Sequence, residues 1–187
     1  MKITKQVLVR RWAITTLLGL AVFLVLFWSD TRLRALSGFG TADLQSFGDA
    51  AQYRAAFYVW TPAALSARAG FNLGLDYLFI PLYTLAFFYS GILAREAFAP
   101  RPTRLRRILT LLAAVPIAGG VLDAIENGLH LSMLLGDASD SLARIAFTIS
   151  GAKMSAAYIG LVLLAGAVMA QVWAYQQRRL KQKLETR

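Results

Sequence analysis

Four long apolar runs, at residues 12–28, 71–94, 108–135 and 142–175, constrain this chain of 187 residues more than any other feature. Each is long enough to cross a hydrocarbon layer, which takes about 20 apolar residues when the segment is helical. Lipid offers no partner to a backbone N–H or C=O, so segments of this kind must satisfy those groups internally and fold as helices. The expected fold class is therefore all-α: a polytopic membrane protein with four transmembrane helices in one bundle, forming a single membrane domain over residues 1–187. Composition agrees, since 57% of residues are hydrophobic and 16% are charged, where a soluble domain carries about 25% charged residues.

The net charge of +10 taken alone would suggest a nucleic-acid partner, but its distribution argues otherwise. Fourteen Lys and Arg precede the first run, separate the second from the third, or follow the fourth. An even number of spans puts those three places on one side, and basic residues beside a span are retained in the cytoplasm. A multi-pass protein of the cell (inner) membrane is expected, with both termini cytoplasmic, membrane lipids as partners and no nucleic acid. Trp12 and Trp28 bracket the first run as an aromatic belt would, and no small-x-small cleavage site directly follows Trp28, so this run reads as a span rather than a signal peptide. The chain lacks Cys, which removes disulfides and thiolate metal sites, and it shows no haem, flavin or nucleotide motif.

The first loop, residues 29–70, is too long for a plain connector and predicts short surface helices. Leu44, Phe47, Ala51, Ala55 and Tyr58 recur at helical spacing, with Asp43, Gln45, Asp49 and Gln52 on the other face. Thr61-Pro62 predicts a helix start, and Gly70 a stop before the second span. Such a segment serves equally as a solvated cap or as a lid over a site opening outward. The basic tail, residues 176–187, reads as a topology anchor.

Four ionisable residues fall inside the spans: Asp76, Asp123, Glu126 and Lys153. Each costs about 2.5 to 3.5 kcal/mol at mid-membrane even on a lenient scale, so they must face the bundle and find partners. On the third span, Asp123, Glu126, Asn127 and His130 follow i, i+3, i+4, i+7 spacing and share one stripe; Asn72, Asp76 and Tyr83 share a face of the second. Counting residues from the span ends puts Asp76, Glu126 and Lys153 about 8 to 14 Å below the outer boundary, with Asp123 deeper. Lys153 is then expected to pair with Glu126 or Asp76. His130 lies nearest the surface and reads as an interfacial side chain. Pro81, Pro116 and Gly119-Gly120 offer room for kinks beside the stripe, while Gly160 and Gly166 could seat a neighbouring helix within the bundle or between chains.

Three carboxylates against one Lys leave the cluster formally at −2. Either carboxyls are protonated, or a cation or cationic headgroup completes the site. An oxygen-rich set suits Mg²⁺ or Ca²⁺, with Asp76, Asp123 and Glu126 as candidate ligands; a single His suits zinc less.

Leu75-Asp76-Tyr77 through Pro81-Leu82-Tyr83, Leu122-Asp123-Ala124-Ile125-Glu126-Asn127 and the lone Lys153 on the last span together resemble an uncharacterised group of small bacterial four-helix integral membrane proteins. The resemblance covers residues 41–164. It implies the fold and brings no substrate with it; His130 is not part of the pattern.

Three functions remain open on the sequence. The cluster could bind a lipid headgroup, a cation or a proton, with Asn72, Asp76, Tyr83, Asp123, Glu126, Asn127 and Lys153 as ligand-binding residues. It could serve a membrane-embedded enzyme acting on a lipid, with Asp123 and Glu126 as metal ligands or general base and Lys153 stabilising negative charge. Or it could fix helix register in a structural or assembly partner.

Overall fold

The computed structural model describes residues 4–61 and 65–185. Thr4 starts the first helix by accepting a hydrogen bond from the Val7 amide, and α1 (Lys5–Ser37) ends at Gly38, whose left-handed φ of 81° is one that glycine adopts without steric cost. A short 3-10 helix (Thr41–Ser46) follows, steadied by the Asp43 carboxylate, which accepts from the Gly40 amide at 2.8 Å. The Asp49 side chain caps α2 (Ala50–Trp60) by accepting from the Gln52 amide at 2.9 Å. Then come α3 (Ser66–Phe98), α4 (Arg104–Leu135), capped by Thr103, and α5 (Asp140–Glu185), a helix of 46 residues. The protein is all-α, and four of its helices, α1, α3, α4 and α5, are long and apolar enough to cross a membrane.

The helices outrun the apolar stretches that announced them. α1 continues past Trp28 to Ser37, and α5 runs without a break into the expected tail as far as Glu185. Gly70 is not a stop, because α3 already includes it. Thr61 ends α2 instead of starting a helix, its amide donating to the Phe57 carbonyl at 3.0 Å; Pro62 lies outside the described residues. The surface helix also turns a different face inward. Leu44 and Phe47 are buried as expected, but Ala51, Ala55 and Tyr58 are exposed, and Ala50, Tyr53, Ala56 and Trp60 are buried in their place. The physical reason is the break at Phe47 to Asp49. A helix that restarts on a new cap takes a new rotational phase, so periodicity read across the break assigns the wrong face.

Packing is organised around α3, which touches each of the other three long helices, while α4 and α5 also pack on each other. α1 leans on α3 and hardly meets α5. Near the termini, Leu8 of α1, Leu93 of α3 and Ala167 of α5 share one apolar cluster. At the opposite end, the 3-10 helix and α2 form a cap whose core joins Leu33, Leu44, Tyr53, Trp60, Met133 and Ala143. The cap is pinned by polar contacts as well: Trp60 Nε1 donates to Ser37 Oγ at 3.0 Å, Arg54 to the Ala138 carbonyl at 2.8 Å, and the Ala50 amide to Asp140 at 2.9 Å.

Glycines let the long helices close in. A Cβ on Gly119 would stand 2.6 Å from the Ala156 Cβ, and one on Gly120 would overlap the Thr84 side chain, so α4 touches α5 and α3 through adjacent residues. Gly160 lies against the Phe87 ring and Gly166 near Ala94, so both of these small residues on α5 are used against α3 within the bundle. Pro81 and Pro116 sit inside helices that continue through them. Trp28 stays exposed, whereas Trp12 turns toward α3 and donates to Ser90 Oγ at 2.9 Å.

Candidate functional site

The polar stripe of α4 points into the bundle along its whole length. Asp123, Glu126, Asn127 and His130 are all buried, as i, i+3, i+4, i+7 spacing on one helix face requires. Lys153 of α5 enters between the first two. Its Nζ lies 2.6 Å from Asp123 Oδ1 and 2.5 Å from Glu126 Oε2. Ser150, one turn before Lys153, donates to Glu126 Oε1, and Tyr83 of α3 donates to Asp123 Oδ2 at 2.8 Å. Three helices are thus tied by one ammonium, two carboxylates and two hydroxyls.

Residue counts along the spans placed Asp123 deeper than the others and led to the expectation that Lys153 pairs with Glu126 or Asp76. The structure joins both Asp123 and Glu126 to Lys153. Asp123 and Glu126 are separated by about 4.5 Å of rise, and the flexible four-carbon stem of a lysine bridges that distance easily. Asp76, the other expected partner, is not bound to Lys153. Its carboxylate accepts instead from Asn127 Nδ2 at 2.5 Å, a neutral donor.

The cluster therefore has two halves. In the first, Lys153 is shared between two carboxylates, and Glu126 has no exposed surface at all. In the second, Asp76 borders open space and makes no ion pair among the described residues. Beneath the 3-10 helix, a cavity of about 200 Å³ is bounded by Asp30, Thr41, Gln45, Asn72, Asp76 and His130 among others. Beside it lies a second cavity of about 410 Å³, whose polar floor is Asp76, Tyr83, Asp123 and Lys153 and whose rim carries Phe23, Met154 and Leu161. The two share Phe23, Gln45, Asp76 and Phe79 as walls. The rim residues are exposed and apolar, and the second cavity opens where α1 and α5 fail to meet.

His130 is not the interfacial side chain that its position along the helix suggested. It is 1% exposed, covered by the cap, with the Tyr53 ring 5.8 Å away. Its Nε2 has no hydrogen-bond partner among the described residues and stands 3.8 Å from Glu126. Asn72, 2% exposed, is in the same condition: Nδ2 makes a long 3.5 Å contact with Thr41 Oγ1, and Oδ1 has no partner. Both line the smaller cavity.

Sequence reasoning missed several contributors. Asp30 carries no signal in the sequence pattern, yet its carboxylate accepts from the Thr41 amide at 2.5 Å and from Thr41 Oγ1 at 2.7 Å, fixing the 3-10 helix over the cavity. Tyr53 was lost with the misassigned face of α2; its hydroxyl donates to the Leu44 carbonyl at 2.9 Å. Burial, helped by the nearby Glu126 charge, pushes this phenol well above its ordinary range, so it remains a donor. Ser150 carried a usable signal, since it sits one turn from Lys153 on the same face.

A divalent ion held jointly by Asp76, Asp123 and Glu126 does not fit this arrangement. The ammonium of Lys153 already stands between Asp123 and Glu126, and among the described residues no three His, Asp or Glu are grouped to hold a metal. No protein-family model, curated protein or solved structure matches the chain. The site stands on its own geometry.

Proposed function

We propose that this is an integral membrane binding protein that takes a positively charged group, a proton, a cation or a lipid headgroup, at Asp76. One observation carries the reading: Asp76 is an intramembrane carboxylate that makes no ion pair among the described residues and forms part of the common wall of two cavities. Ionisable groups at membrane depth are otherwise paired off, and an unpaired one marks a ligand pathway. The Lys153, Asp123 and Glu126 half supports a different task, holding α4 to α5 in one register, so the structural role and the binding role fall to different members of one cluster. With Asp123 and Glu126 both engaged by Lys153, the geometry supports binding better than acid–base catalysis on a lipid.

In this proposal the basic end of the bundle faces the cytoplasm and the cap faces outward, as the positive residues favour. The cell (inner) membrane of a bacterium is the matching location, and membership of the small four-helix group is part of the same proposal.

The test uses the full chain in detergent micelles, with thermal unfolding followed as ethanolammonium chloride is added against NaCl at equal ionic strength, and with pH varied separately. A ligand that binds the folded state raises the midpoint. Stabilisation by ethanolammonium, by Na⁺ or on protonation that is present in the native chain and absent in Asp76→Asn supports the reading. Equal behaviour of the two proteins under all three conditions overturns it.

A further inference from the structure

The smaller cavity has an unusual chemical bias. Among the described residues, Asp30 and Asp76 present carboxylates that make no ion pair, and neither Asn72 Oδ1 nor His130 Nε2 has a hydrogen-bond partner. Neighbouring cations are committed elsewhere: Arg34 pairs with Asp43 at 2.5 Å, Arg32 sits over the Trp28 ring, and Lys153 lies in its own two-carboxylate bond. Two polar side chains that are almost completely buried and left unsatisfied in one cavity carry a free-energy cost, about 1–3 kcal/mol per group. A ligand with several N–H donors relieves it.

A primary ammonium fits this set. It brings one positive charge, answering the carboxylates, and three N–H donors, answering Asp76, Asn72 and His130. A quaternary ammonium brings the charge without donors, and a phosphate or hydroxyl head brings no positive charge.

The larger cavity says what the ammonium is attached to. It continues from Asp76 past Tyr83 and Phe87 to a rim of Phe23, Met154 and Leu161, and it opens between α1 and α5 on the apolar flank of the bundle. A water-soluble amine has no use for such an exit, whereas an acyl chain does. Resting on the reading of Asp76 as the cation-binding group, we infer that the ligand is a membrane lipid with a primary-amine headgroup, entering sideways between α1 and α5 with its ammonium in the cavity beneath the 3-10 helix and its chains in the bilayer.

The experiment presents the detergent-solubilised full chain with dilauroyl phosphatidylethanolamine, phosphatidylcholine or phosphatidylglycerol, with bound lipid counted by native mass spectrometry, and with ethanolammonium chloride as the chainless probe. Expected is retention of phosphatidylethanolamine at least tenfold tighter than either other lipid, with the preference lost in Asp76→Asn and reduced in Asn72→Leu and His130→Leu. Ala157→Trp, which fills the lateral opening, should abolish lipid retention and leave the ethanolammonium response intact. Should that variant fail to fold, judged by helicity and gel-filtration profile, Leu161→Trp at the rim takes its place.

The two readings fail differently. If ethanolammonium acts through Asp76 but the three lipids bind alike, or the tryptophan variant retains phosphatidylethanolamine, the lipid inference falls and the cation site survives. If neither ethanolammonium nor any lipid responds to Asp76→Asn, the lipid inference falls, and the cation site rests only on Na⁺ and the proton.

Discussion

Lys153 donates to Asp123 at 2.6 Å across 30 residues of sequence, with both side chains nearly sealed from solvent. An ion pair in such surroundings gains little over an apolar pair of the same shape, yet breaking it from one side is severe, because the remaining charge stays buried and unanswered. Lys153→Met should therefore destabilise the bundle by about 3–5 kcal/mol, read as a lowered denaturation midpoint in micelles. The triple variant Lys153→Met, Asp123→Asn, Glu126→Gln removes every charge of the lock and should recover most of that loss. A triple variant as unstable as the single one would show that the lock is not electrostatic.

Gly160 and Phe87 form a simpler pair. A methyl group on Gly160 would collide with the Phe87 ring, so Gly160→Ala should cost about 1–3 kcal/mol as overpacking. Shrinking the partner relieves the collision, and the double variant with Phe87→Ala should lose less than the sum of the two single losses. A double-mutant cycle on thermal stability with zero coupling would contradict the contact.

The cap depends on Tyr53. Tyr53→Phe deletes one of two donors to the Leu44 carbonyl, which keeps the Phe47 amide, and should cost about 0.5–1.5 kcal/mol, the net worth of one hydrogen bond. Hydrogen exchange should report the loss locally. Amides of residues 41–60 should exchange faster, while the α4–α5 contact keeps its protection.

At the opposite end, Glu96 bonds to Arg106 at 2.7 Å and to Arg95 at 2.6 Å. The Arg106 hydrogen bond is the main cause that holds this carboxyl below the ordinary glutamate range; partial burial opposes it and Arg95 adds to it. A folded-state value below the unfolded one means the contribution is present above the usual glutamate value of about 4.3 and fades as pH falls through the lower folded value. Glu96→Gln should flatten the acid side of the stability profile in that window and leave it unchanged near neutrality, apart from a constant offset. Because the group is well exposed, high salt should shrink the effect.

What could be read from sequence follows the reach of covalent geometry. The stripe of Asp123, Glu126, Asn127 and His130 was legible because one unbroken helix fixes which side chains share a face. The same logic failed on α2, where the chain breaks at Phe47 to Asp49 and the helical phase restarts on a new cap. It also failed for pairing across helices. Lys153 chose Asp123 and Glu126 over Asp76 because a long flexible side chain overrides small differences in depth, which no residue count resolves. His130 was misplaced for a related reason: counting residues gives height along the membrane, and says nothing about the cap folding back over that height. Asp30 became meaningful only when the cap placed Thr41 against it, whereas Asn72 already stood out on the polar face of the second span.

The uneven packing of α1 carries one more consequence. Because this helix rests on α3 and barely reaches α5, the width of the sideways entrance follows the α1–α3 seam, while the charged lock on the floor of the same cavity is held by α3, α4 and α5. A thicker or thinner bilayer that re-tilts α1 would resize the doorway and leave the lock untouched. Ligand access and bundle integrity then rest on different helix contacts, and access becomes a property of the surrounding membrane as much as of the protein.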